Sequence, residues 1–228
     1  MALTDITEIP RRTMVLFFVV DTSGDMDGAK IGAVNTAIEE VIPAIKEISD
    51  TSPDAQIKVA VLEFSGVGAR WINPNGPMEL DDFHWLDLKA ASTGVGDLGA
   101  AYKALNEKLS TKSFMEASAS SFAPTIFLFS GGSPYGYEWQ NELTELKQNN
   151  WFKAAIKLAV RVGDDASEYV LAEFTGTKEA VIALHNPYVL TKMIRFVSVC
   201  ESQIDRADKQ TKYSEFKEET TANQTDWW

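Results

Sequence analysis

The sequence predicts an α/β protein with a doubly wound, mostly parallel central sheet and helices on both faces, as in Rossmann-like folds. Runs rich in Val, Ile and Phe occur at residues 14–20, 57–64 and 124–129, and each suits a buried strand. Between them, apolar residues recur at three- and four-residue steps, the spacing of amphipathic helices. Strands that alternate with helices in this way favour a parallel sheet covered on both sides.

The first strand leads directly into a cluster of oxygen-bearing side chains. Residues 14–27 read M-V-L-F-F-V-V-D-T-S-G-D-M-D. In an extended loop, alternate side chains point the same way, so Asp21, Ser23 and Asp25 are expected to converge. Such hard oxygen donors suit Mg²⁺, Mn²⁺ or Ca²⁺ better than zinc. The alternative is an Asx turn or a helix cap without an ion.

The next part of the chain predicts a helix, a strand and a loop. Apolar residues from Ile31 to Ile48 define one helix, which Pro43 should kink or shorten. Further along, the expected elements are a turn at 51–54, a strand at 57–64, a loop or short edge strand at 71–82 and a partly buried segment at 83–88.

The second half of the chain continues the alternation. Asp97 stands where a helix cap is expected, before a helix at 98–109. The later expected elements are a strand at 124–129, a helix at 138–149, a strand at 156–162, a helix at 167–174, a strand at 180–184 and a closing helix at 188–202. Their parallel arrangement would bring the loops at Asp21, Gly96 and Gly131 to one edge of the sheet.

Length and charge limit the organisation and the partners. The 228 residues fit one domain, predicted at 13–204 between a flexible lead-in (1–12) and a polar tail (205–228). The net charge of −12 argues against nucleic acid or anionic membranes as partners.

The cellular location of the protein is predicted from the absence of recognisable targeting and membrane-spanning segments in the given sequence. Residues 1–12 do not resemble a secretory signal, no apolar run is long enough to span a membrane, and Cys200 is the single cysteine. We therefore expect a cytoplasmic protein in which Cys200 is a buried thiol.

The segment D-T-S-G-D-M resembles the first metal-ion-dependent adhesion motif of von Willebrand factor A domains, Asp-x-Ser-x-Ser. The resemblance extends over about residues 14–202, and short cytoplasmic bacterial members of the tellurium-resistance type are the most similar. It implies the α/β fold and a divalent ion with an open position for a carboxylate of a partner protein.

Three positions depart from the pattern of that family. Asp25 replaces its second Ser, Gly96 stands where a ligating Thr belongs, and Gly131 replaces the ligating Asp of S-D-G-x-P. Thr93 and Asp97 lie near the missing Thr, although Asp97 has the alternative role of helix cap. The predicted metal ligands are therefore Asp21, Ser23, Asp25 and Asp97, in a site that is altered or lost.

An aromatic row follows the loop at Gly131. Tyr135, Tyr137 and Trp139 occur at spacing two, and in the fold that the resemblance implies they lie on the same face as Asp21. Exposed aromatics there would suit a protein interface. The alternative for Trp139 is that it packs beneath the helix at 138–149.

The sequence favours an interaction module over an enzyme. His84, His185 and Cys200 offer few groups for acid–base or nucleophilic chemistry, and G-V-G-D-L-G at 94–99 follows no convincing strand, unlike a dinucleotide-binding loop. The resemblance implies an adaptor in a bacterial stress-response or phage-defence assembly. The rival hypotheses are a metal-dependent phosphohydrolase that uses Asp21 and Asp25, and a self-assembling structural protein.

Overall fold

The computed structural model describes residues 11–112, 114–115, 120–134 and 136–184. The predicted closing helix at 188–202, the tail, His185, Cys200 and Tyr135 lie outside these residues. The described elements, in chain order, are β1 (Arg12–Asp21), α1 (Ala29–Thr51), β2 (Ala55–Ser65), β3 (Gly68–Trp71), β4 (Met78–Glu79), α2 (Leu98–Leu109), β5 (Thr125–Ser130), α3 (Trp139–Leu146), α4 (Asn150–Ala154), β6 (Ile156–Arg161), α5 (Glu168–Thr175) and β7 (Val181–Ala183).

These strands form one sheet in the order β3-β2-β1-β5-β6-β7, with β4 also paired to β2. The pairs β1–β2, β1–β5, β5–β6 and β6–β7 are parallel, and β3 and β4 run antiparallel to β2. The predicted doubly wound, mostly parallel sheet is therefore confirmed. From β1 the chain first adds β2 on one side, and it later returns to add β5 on the other side of β1. A topological switch point therefore lies between β1 and β5.

Alternate residues of β1 face two separate apolar layers. Leu16 and Phe18 belong to the cluster beneath α1, and Phe18 lies 5.7 Å from Phe127, ring centre to ring centre. Phe17 and Val19 belong to the cluster beneath α2, α3 and α5. Both faces of the strand are fully buried, which explains its continuous apolar sequence.

Two details of the helices differ from expectation. Pro43 does not shorten α1, which runs for 23 residues with Pro43 on its exposed side. Buried residues before and after the proline, such as Ile38 and Ile45, hold both halves against the sheet. The helix expected at 138–149 ends at Leu146, because Asn149 caps a new helix by accepting hydrogen bonds from the backbone N–H groups of Trp151 and Phe152.

Candidate functional site

The last residue of β1, Asp21, is a buried carboxylate with both oxygens engaged. Its side chain is 2% exposed. Oδ1 accepts a hydrogen bond from the Ser23 backbone N–H at 2.9 Å, and Oδ2 accepts one from the Ser130 hydroxyl at 2.9 Å. Ser130 ends β5, so this second bond bridges the switch point between β1 and β5. The carboxylate is thus fixed at the edge of the sheet where such folds place ligands.

The hydroxyl of Ser23 is buried without a hydrogen-bond partner. The side chain has no solvent exposure, and its Oγ makes no hydrogen bond. The neighbouring Thr22 hydroxyl, in contrast, donates to the Phe64 carbonyl at 3.1 Å. A buried polar atom that lacks a partner costs free energy that a bound ion or water would recover. The Ser23 hydroxyl is therefore free to bind an additional ligand.

Asp25 brings a second carboxylate to the same place. It lies in a 3-10 turn, Gly24–Met26, and its side chain lies against Gly132, where there is no space for a Cβ. No described residue forms a hydrogen bond or ion pair with this carboxylate. Asp21 and Asp25 line a cavity of about 10 Å³, together with Ser130, Ser133 and the backbone of Gly96 and Gly132. That volume is close to the space of one water molecule.

Gly96 and Gly131, where the resemblance implied metal ligands, are closely packed by neighbouring side chains. A Cβ on Gly96 would lie 2.9 Å from Oδ1 of Asp21 and 3.0 Å from the ring of Phe64. A Cβ on Gly131 would collide with the sulfur of Met26. A side chain at either position would need its surroundings to move.

Lys30 places a cation beside Gly131. Its ammonium donates to the Gly131 carbonyl at 2.8 Å and to the two oxygens of Asp165 at 2.7 and 2.8 Å. This hydrogen bond lowers the pKa of the Asp165 carboxyl below its usual value, and a backbone hydrogen bond within Asp165 adds to the effect. Lys30 therefore ties the start of α1 to the loops after β5 and β6. The residue did not stand out in the sequence, because its partner lies 135 positions away.

Asp97 caps α2. Its Oδ1 accepts a hydrogen bond from the backbone N–H of Ala100 at 2.9 Å, which confirms the predicted cap. It does not line the small cavity beside Asp21. Metal ligation by Asp97 stays a prediction.

The side chains near Asp21 carry oxygen atoms of the type that a hard cation binds. Asp21, Asp25, Ser130 and Ser133 line the cavity with carboxylate and hydroxyl oxygens of the sort that Mg²⁺ and Ca²⁺ prefer. The unpartnered Ser23 hydroxyl is a further oxygen donor nearby, although Ser23 does not line the cavity. In the described ranges, no cluster of three or more His, Cys, Asp and Glu side chains could hold a metal ion. An ion here would thus depend on hydroxyls as well as on two acids. Ser130 and Ser133 stand at the end of a buried strand in the segment S-G-G-S, and this pattern is visible in the sequence.

The aromatic loop differs from the predicted exposed row. Tyr137 is 80% exposed, as expected. Trp139 is 5% exposed and packs in the cluster with Leu143 and Leu146, so of the two possibilities for this residue the packed one is confirmed. The rest of this edge adds two apolar side chains, Val67 and Val95, which are 99% and 38% exposed.

Two further observations bear on function. His84 is exposed on the loop between β4 and α2, away from the cavity residues. In the part of the chain that the structure describes, no helix is both long and apolar enough to cross a membrane.

Comparisons with known proteins identify the fold. No family model and no curated protein matches the chain. The von Willebrand factor type A protein from Catenulispora acidiphila matches at a TM-score of 0.58 and 14% identity, over 84% of this chain and 43% of that one. Proximal thread matrix protein 1 from the mussel byssus, with a zinc-occupied MIDAS motif, matches at 0.61 and 15%, over 83% and 48%.

A third solved structure is the PilB minor pilin from Streptococcus sanguinis, with a TM-score of 0.57 and 14% identity, over 85% of this chain and 62% of the pilin. The chain thus spans less than two thirds of the length of each of these proteins. Identity this low supports a statement about architecture alone. The described residues form the α/β fold of a von Willebrand factor A domain.

Proposed function

We propose that the chain is a non-enzymatic protein-interaction module of the von Willebrand factor A type, whose partner binds at the carboxyl ends of the parallel strands. The observation that carries the proposal is the Ser23 hydroxyl, buried without a partner next to the fixed carboxylate of Asp21. The exposed side chains of Tyr137, Val67 and Val95 on loops at the same edge support a protein partner.

A divalent cation, Mg²⁺, Mn²⁺ or Ca²⁺, is part of this proposal. Asp21, Ser23 and Asp25 would hold it, with Ser130 or Ser133 in place of the family ligands that Gly96 and Gly131 lack. The bound ion would supply positive charge that attracts a carboxylate of the partner protein. The zinc-occupied MIDAS motif of the byssus protein supports a cation at this position of the fold.

The biological setting belongs to the same proposal. One similar structure is a thread matrix protein of the mussel byssus and another is a minor pilin, which supports a role in binding other proteins. Within that role we propose an adaptor of the tellurium-resistance type, located in the bacterial cytoplasm and acting in stress response or phage defence. This step rests on the resemblance of D-T-S-G-D-M to the adhesion motif.

Calorimetric titration of the EDTA-treated protein with Mg²⁺, Mn²⁺ and Ca²⁺ tests the cation site. We expect heat of binding for the natural chain and none for Asp21→Ala. Asp21→Asn serves as a second variant, because its amide keeps the shape and one acceptor oxygen if the alanine variant does not fold. Both variants should lose ion affinity.

Asp27→Ala is the matched control. Asp27 lies in the same loop but is exposed and does not line the cavity, so its removal should leave ion binding unchanged. Absence of heat with the natural chain, or equal heat in the Asp21 variants, would contradict a cation site at Asp21. The partner would then bind this edge without an ion.

A further inference from the structure

A groove of about 510 Å³ opens next to the Asp21 cavity. Its walls are the start of α2 and the start of α3, and it shares Gly96, Leu98 and Pro134 with the small cavity. The groove and the cavity are therefore neighbours at the carboxyl edge of the sheet.

Close packing of the two helices forms the floor of the groove. A Cβ on Gly99 would lie 3.4 Å from the Cα of Trp139, so α2 approaches α3 at a position without a side chain. Leu98 and the buried Trp139 contribute apolar surface beneath it. An extended segment of a protein could lie along such a floor, because its side chains would contact apolar surface below and solvent above.

The walls of the groove are acidic. Asp97, Glu138 and Glu142 line it, against one cation, Lys103. Glu138 and Glu142 are four residues apart, on the same face of the α3 region. Neither of these two side-chain carboxylates forms an ion pair or hydrogen bond with another described residue. Two carboxylates are thus available to a partner without first giving up contacts within the chain.

The rim of the groove is apolar. Six large apolar side chains are exposed in the described residues, and three of them, Val67, Val95 and Tyr137, lie on or beside the loops that border the groove. Tyr137 directly precedes Glu138, and Val67 directly follows Gly66. Exposed apolar groups beside unpaired acids suit a partner that offers apolar and basic side chains together.

We propose that this groove binds an extended protein segment that carries Lys or Arg beside apolar residues. The proposal rests on the proposed function, because it takes the same edge as the partner face, and it deepens that function by assigning the charge of the partner. The basic side chains pair with Glu138 and Glu142, and the apolar ones contact Val95, Tyr137 and the groove floor. A carboxylate held by an ion at Asp21 would be a separate contact.

Selection from a displayed library of short random peptides on the immobilised full chain tests the proposal. We expect the selected peptides to be enriched in Lys and Arg next to apolar residues. Affinity of a selected peptide should fall roughly tenfold for the double variant Glu138→Gln, Glu142→Gln, since exposed pairs contribute modestly and additively. It should also fall as salt is raised.

Glu39→Gln, Glu40→Gln is the matched control, because it removes the same charge from exposed positions of α1, on the opposite face of the sheet. This control should leave peptide affinity unchanged. Selected peptides that are acidic or uncharged, no selected peptides at all, or equal affinity for the two double variants would overturn the proposal. Ion binding lost in Asp21→Ala would still support the proposed function in that case, so the two proposals can fail separately.

Discussion

The middle of β1 and its carboxyl end differ in what stabilises them. Phe17 and Phe18 have no solvent exposure and pack in two apolar layers, one on each face of the sheet. Asp21 is nearly as buried, but it depends on hydrogen bonds from Ser23 and Ser130. Truncation of a core ring therefore removes packed volume, whereas truncation of a side chain at the site removes hydrogen bonds. This difference can be tested by substitution.

Phe127→Ala should have the largest effect on stability. The ring has no exposure and packs against Phe18, so its loss leaves a cavity in the layer beneath α1. We expect a loss of about 3–5 kcal/mol in the free energy of unfolding, measured by urea denaturation. Val67→Ala, at a side chain that is 99% exposed, is the control and should change stability by less than about 0.5 kcal/mol.

Gly131→Asp introduces the acid that the resembling motif carries at this position, but it should nevertheless lower the stability of the protein. Its Cβ would collide with the sulfur of Met26, so we expect a loss of about 1–3 kcal/mol from overpacking. Gly131→Ala has the same Cβ without the charge and should show a similar loss.

Thermal unfolding of the double variant Met26→Ala, Gly131→Asp tests whether the loss of stability comes from the collision with the Met26 sulfur. Removing the sulfur makes space for the new side chain, so the two changes should cost less together than the sum of their separate costs. Simple additivity would mean that Met26 is not the reason for glycine at this position.

Asp97→Ala should cost about 1 kcal/mol, because it removes the side chain that caps α2. Asp97→Asn keeps a capping oxygen and should preserve most of the stability. The same proteins can be titrated with Mg²⁺. An ion affinity that falls in both variants would indicate that Asp97 is a ligand in addition to its role as a cap.

Two adjacent hydroxyls should differ in their small effects on stability. Thr22→Val removes a hydrogen bond to the Phe64 carbonyl and should cost about 1 kcal/mol. Ser23→Ala removes a hydroxyl that has no partner, so the ion-free protein should change by less than about 0.5 kcal/mol or become more stable. A loss for Ser23→Ala as large as that for Thr22→Val would show that the Ser23 hydroxyl is satisfied after all.

The elements with strong periodicity were predictable from the sequence. The bounds of α2 agree with the expected 98–109, and β5 lies within one residue of 124–129. Pro43 was expected to kink or shorten α1, and it does not shorten the helix, because buried residues on both sides of the proline hold it against the sheet. The burial of Trp139 was left open because a residue at a helix start can face either solvent or the neighbouring helix.

The candidate site was predictable only in part. Asp21, Ser23 and Asp25 stand close together in sequence, which indicated a shared site, but Asp25 approaches Asp21 through a 3-10 turn and not through the extended loop that was expected. Ser130, in contrast, is 109 residues from Asp21, and the bond between them depends on the order of strands in the sheet. The contact between Met26 and Gly131 likewise depends on tertiary packing, which no local pattern reveals.

Backbone hydrogen bonds join the Asp21 loop to the loop before α2. The Ala91 N–H donates to the Thr22 carbonyl at 2.8 Å, and the Gly24 N–H donates to the Gly94 carbonyl at 2.9 Å. A Cβ on Gly24 would lie 2.7 Å from the Thr93 carbonyl carbon, so glycine permits this approach. These contacts preorganise the site, because the two loops are hydrogen-bonded to each other before a ligand binds. Little conformational entropy is therefore lost on binding.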